Sequence, residues 1–224
     1  MLLRRHQVWL PTPAGWLVLL AALALALVVL ARSAHGWLAV DAPARGADGR
    51  GARTLVVEGW LDPPDIEQAV AAFRRGRYER VLTTGGPIEP WLDTGGWQTF
   101  AVRGASYLRE HGLSEVPVIA VPAPETVHER TYVSALMLRD WARRSGTALE
   151  AIDLYSAGVH ARRSRLVYRM ALGDGVEVGA LAAQPQRYDA KRWWTSSAGA
   201  KAVLDEAISL AWTLCCFWPA TAAP

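Results

Sequence analysis

The chain is expected to form a Rossmann-like α/β fold, an open parallel sheet of about five strands with helices on both faces, plus one N-terminal transmembrane helix. Three observations predict this. From Thr54 onward, short apolar runs alternate with segments of helical period, the pattern of repeated βαβ units. Near the N-terminus, Ala14 to Ala31 is an 18-residue run without a charge. The 224 residues, 51% hydrophobic and 20% charged, leave one ordinary globular domain once that run is set aside.

Taken in order, residues 1–13 are the expected cytoplasmic N-terminus, 14–31 the transmembrane anchor, and 32–53 a linker. Residues 54–218 are the α/β domain, and 219–224 are a tail. At 1.5 Å rise per residue the apolar run nearly matches a ~30 Å hydrocarbon core. Trp9 and Trp16 stand where interfacial aromatics would anchor it. Arg4 and Arg5 precede the run and Arg32 follows it. A long following domain is translocated whatever its charge, so a short basic N-terminus favours a domain outside the cytoplasm. A cleaved signal peptide has a shorter apolar region, usually about 7 to 15 residues. Pro43 also follows the Val40-Asp41-Ala42 candidate cleavage site, which favours an uncleaved anchor. Residues 42–53, rich in Ala, Gly, Pro and Asp, read as a tether.

Within the domain the expected strands are 54–57, 80–83, 116–121, 152–155 and 176–180. The expected helices are 65–74, 97–111, 129–144, 161–171 and 197–214. The apolar stretch Ala207 to Phe217 is too short to cross a bilayer and is expected to cover the sheet. Cys215 and Cys216 are adjacent, a spacing that rarely meets disulfide geometry, and no Cys/His pair stands nearby to complete a zinc site. They read as two small core residues, and no metal site is expected. The formal charge of +3 is almost all arginine, since the lysines are Lys191 and Lys201. No basic run or basic-aromatic array suggests nucleic acid.

In an open parallel sheet, ligands bind beyond the carboxyl ends of the strands, and the unusual residues of this chain fall there. Glu58 ends the first strand, where a buried carboxylate can act as general base, hydroxyl acceptor or half of a salt bridge to an arginine. Gly85 and Gly86 follow the second strand and can form an anion-binding nest or simply a sharp turn. Neither a dinucleotide fingerprint nor a Walker loop is present. Arg130 and Thr131 open the helix after the third strand, with a surface pair to Glu125 or Glu129 as the plainer role for Arg130.

His160 and Arg163 stand at a helix start, where the macrodipole disfavours cations by ~0.3–1 kcal/mol and an anion would reverse that penalty. By helical phase Arg163 shares a sheet-facing side with Val167 and Met170, whereas Arg162, Arg165 and Arg169 share a wetter side. Arg163 can clamp an anion, cap the sheet end or pair with Glu58. Trp193 and Trp194 can wall a pocket, rest on lipid headgroups or pack under the last helix. Ser156 lacks the G-x-S-x-G elbow of a serine hydrolase.

The ordered set of Gly85-Gly86, Thr131, and His160 with Arg163 resembles the SanA/ElyC/YdcF-like envelope family over about Thr54 to Leu214. Where that family tends to carry acidic and asparagine residues after the threonine, this chain has Val133 and Ser134. The resemblance implies a Rossmann-like fold, N-terminal membrane anchoring, and a role in envelope integrity, peptidoglycan assembly or lipid-carrier metabolism. S-adenosylmethionine binding has been proposed for YdcF-like members, but no acidic ribose-binding residue stands at a convincing place here.

The expected protein therefore sits in a bacterial inner membrane as a single-pass chain. Its expected ligand is an anionic small molecule or lipid-linked precursor, with His160 and Glu58 as catalytic groups. Gly85, Gly86, Arg130, Thr131 and Arg163 are the expected ligand-binding groups. A non-catalytic envelope assembly factor and an S-adenosylmethionine-binding protein are the alternatives, and the cofactor is left open.

Overall fold

The computed structural model describes residues 10–46, 49, 51–89, 91–92 and 96–219. The expected cytoplasmic segment and tail therefore lie largely outside the described residues, and Trp9 wholly so.

The first helix, α1, runs Pro13–Leu38. Thr12 caps it through its hydroxyl, which accepts from Gly15 N at 3.1 Å, and Pro13 takes the first helical position, where a missing N–H costs nothing. It is the one described helix long and apolar enough to cross a membrane. The helix outlasts the apolar run by two turns, so residues 32–38, expected as linker, are helical instead. They remain helical because they pack: His35 and Leu38 are buried against the domain.

The sheet comprises β1 Thr54–Glu58, β2 Arg80–Gly85, β3 Val118–Pro122, β4 Ala151–Ser156 and β5 Glu177–Ala182. All five pair in parallel in the order β3-β2-β1-β4-β5. The intervening helices are α2 Pro63–Arg75, α3 Phe100–Leu108, α4 Arg130–Ser145 and α5 Ala161–Leu172, and α6 Ser197–Cys216 is the last described helix. α3 ends sooner than its periodicity predicts, passing into a π turn that finishes with Gly112 at φ 112°.

β1 shows why the sheet lies between two layers. Leu55 and Val57 join one core with Ile66 and Leu108, while Val56 joins a second with Leu138, Ile152 and Tyr168. Each such side chain, taken fully out of water, contributes about 1.5–3 kcal/mol. The chain moves outward through β2 and β3 and then returns to β4 beside β1. The topological switch therefore lies between the carboxyl ends of β1 and β4.

The segment expected as a tether is fixed instead. Ala42 exchanges both backbone hydrogen bonds with Ala180 of β5, and Ala44 N donates to the buried Asp153 carboxylate at 2.6 Å. Gly179 permits this crossing, because a Cβ there would stand 2.1 Å from Ala44 N. Cys215 and Cys216 are bonded to each other and exposed, not core residues, because they occupy the outer side of the last turn of α6.

Candidate functional site

The crevice at the switch point opens into a cleft of about 1130 Å³. Glu58, Gly85, Gly86, Arg130, Thr131, His160 and Arg163 all line it. Their convergence follows from topology, since each ends a strand or opens the helix after one.

Glu58 lies at its base with 2% of its surface exposed. Its two oxygens accept from serine hydroxyls, Oε2 from Ser156 at 2.5 Å and Oε1 from Ser164 at 3.0 Å. The Ser156 bond spans the switch between β1 and β4. Glu58 thus accepts hydroxyls, and the salt bridge to Arg163 is not formed, because Arg163 has another carboxylate.

That carboxylate is Glu206 of α6. It accepts from Arg163 Nε at 2.9 Å and Nη2 at 3.0 Å, a bidentate pair, and lies 2.5 Å from His160 Nδ1. Arg163 Nη2 also stands 2.9 Å from Nδ1. One ring nitrogen cannot donate to the carboxylate and accept from the guanidinium at once. With Nδ1–H given to Glu206, the guanidinium keeps its own bond to the same carboxylate, and Nε2, the other ring nitrogen, stands 3.4 Å from Arg163 Nη2. Trp60 meets the imidazole edge-on, with centroids 5.1 Å apart. Burial opposes ionisation of Glu206, but its hydrogen bonds from His160 and Arg163 outweigh it and hold the carboxyl at about 2.

Glu206 is absent from the sequence-based site, although helical phase marks it. It shares a face with Val203, Leu210 and Thr213 at i−3, i+4 and i+7, and all three are buried. Ser164 was also missed, and Ala161, Val167, Tyr168 and Ala171 mark its face in the same way. The α5 phase needs correction too. Met170, expected toward the sheet, is 38% exposed, because the buried side centres on Ser164 and Tyr168. Arg162 is not a solvated arginine: its Nε donates to Trp37 O and its guanidinium lies 4.4 Å over the Trp37 ring.

Arg130 pairs with Glu89 at 2.8 Å, not with Glu125 or Glu129, and its side chain is 67% exposed. It opens α4, whose first turn has no side-chain cap and follows Glu129 at φ 56°, in the left-handed region. Gly85, unlike Gly86, has a packing reason of its own. A Cβ on Gly85, at φ 149°, would come within 2.8 Å of Phe100 Cβ.

The cleft rim differs from its base. Trp91, Val127, Ile208 and Trp212 line it while 80%, 83%, 68% and 46% exposed. No family model matches the chain, and no curated protein matches it either.

Proposed function

We propose that this is a membrane-anchored extracytoplasmic protein of bacterial envelope biogenesis whose cleft binds the phosphate-bearing head of an amphiphilic envelope or lipid-carrier precursor. The observation that carries this reading is that the cleft joins ionic groups, buried at its base and exposed at its mouth as Arg130 and Glu125, to exposed apolar side chains on the same rim. An amphiphile matches both at once. The resemblance to the SanA/ElyC/YdcF-like family and the basic N-terminal residues Arg4 and Arg5 support the envelope setting and the orientation.

The two arginines would serve differently. Arg163 is fixed by Glu206, and its Nη1 has no partner among the described residues. Arg130 is exposed, and transferring it from Glu89 to a phosphate sacrifices a surface pair worth under about 1 kcal/mol. The uncapped first-turn amides of α4 add donors beside it. His160, oriented by Glu206, supplies a proton donor or acceptor at Nε2.

The test uses the full chain in nanodiscs, titrated with a short-chain prenyl phosphate, the matching prenol and inorganic phosphate. The prenyl phosphate is expected to raise the melting temperature more than either alternative, and Arg130→Ala to weaken that effect. Equal shifts from prenol and prenyl phosphate would remove the headgroup from the proposal.

A further inference from the structure

We infer that the carboxyl end of the sheet rests on the bilayer surface, with the second half of α6 lying in the lipid interface beside the anchor. The chain path fixes which end of the domain faces the membrane. From Leu38 the backbone runs antiparallel down β5, Ala42 pairing with Ala180 and Arg45 N reaching Glu177, before entering β1 at its amino end. α1 therefore joins the domain at the carboxyl end. Trp193, just before α6, donates its Nε1–H to Ala31 O at 2.7 Å, the residue where the charge-free run gives way to Arg32. The start of α6 thus sits level with the membrane boundary.

The distribution of exposed apolar side chains is the second, independent observation. In the domain, the exposed large hydrophobics among the described residues lie on α6 or on segments that follow strand carboxyl ends, as Trp60, Trp91, Val127 and Trp194 do; Met170 is the exception. Charges flank both ends, as Arg77, Glu115 and Asp174 do at one and Asp62, Lys191 and Arg192 at the other, so it is the exposed apolar side chains that distinguish the carboxyl end.

α6 itself changes character along its length. Lys201 and Asp205 are exposed in its first half, whereas residues 207–219 hold no charge. Ile208, Leu214 and Trp218 are 68%, 63% and 83% exposed there. That segment is too short to span a bilayer, and an apolar face with tryptophans suits the interface. The bilayer is the occupant because this face adjoins the helix that enters it: Leu38 of α1 shares one buried cluster with Val203 and Leu210 of α6. The inference rests on α1 as the membrane span, not on the ligand of the cleft.

The test places single spin labels on the full chain in phosphatidylethanolamine/phosphatidylglycerol nanodiscs, in a Cys215→Ser, Cys216→Ser background. Ile208→Cys and Val127→Cys carry the label at the proposed interface, and Glu115→Cys carries it at the far end; all three positions are exposed, so folding is retained. Labels at 208 and 127 are expected to show a severalfold higher ratio of oxygen to nickel-chelate accessibility than the label at 115. Equal ratios at all three positions would overturn the inference. Short label-to-label distances between chains at position 208 would also overturn it, by showing that a second copy covers this face. No ligand is added, so failure here is separable from failure of the headgroup reading.

Discussion

Glu58 and Glu206 are two carboxylates at the same end of the sheet, yet they are stabilised in opposite ways. Glu206 is held by an arginine fork and an imidazole, so its charge is compensated where it stands. Glu58, more deeply buried, is held by two neutral hydroxyls, and no described cation bonds it. The contrast separates a carboxylate whose lone pairs are committed to aligning His160 and Arg163 from one held by hydroxyls alone.

Removing each carboxylate gives the largest expected difference. Glu206→Ala strands a half-buried arginine and should lower unfolding stability by roughly 3 kcal/mol, measured by denaturant titration of the full chain. Glu58→Gln, which retains an oxygen for one hydroxyl, should cost about 1 kcal/mol. Similar losses from the two changes would erase the distinction.

Acid separates them next. Glu206 has its carboxyl lowered from 4.5 to about 2 in the folded state, so its contribution is present above about 4.5 and is lost as pH falls toward 2. Its full size is on the order of 3 kcal/mol. Between pH 5 and pH 3 the melting temperature of the parent chain should therefore fall more steeply than that of Glu206→Gln. Parallel curves would show that the ion pairs do not favour the charged form.

Smaller effects test the hydroxyls. Ser156→Ala and Ser164→Ala should each cost about 1 kcal/mol, and their double variant should lose less in a Glu58→Gln background than in the parent, because one of the two acceptor oxygens is gone. Smallest of all, Arg130→Ala should change stability by well under ~1 kcal/mol, since its pair with Glu89 is exposed.

How much of this could be read in advance depended on the range of the interaction. The strand and helix sequence was readable because periodicity is local, and the rule placing sites beyond strand carboxyl ends gathered Glu58, His160 and Arg163 correctly around one cleft. What escaped was choice of partner. Arg163 lies 43 residues from Glu206, and nothing local distinguishes that acid from Glu58 as its mate. The α5 phase was drawn from Arg163, Val167 and Met170, whereas the small residues Ala161 and Ser164 mark the closest approach to the sheet. The docking of residues 31–38 escaped for the same reason: it depends on Trp193 and Arg162, each more than a hundred residues away in the chain.

The pairing of Ala42 with Ala180 has a consequence of another kind. Open sheets end in strands whose free N–H and C=O groups invite other chains, a hazard heightened when proteins are concentrated in two dimensions on a membrane. Here the stretch leading from α1 lies along β5 and uses the outward backbone groups of Ala180, with Asp153 pinning it through Ala44. The residues that connect the domain to α1 thus also cap one edge of its sheet. Loosening them, by Asp153→Ala or by filling Gly179, would expose a strand edge to neighbouring copies, a route to self-association that leaves the cleft untouched.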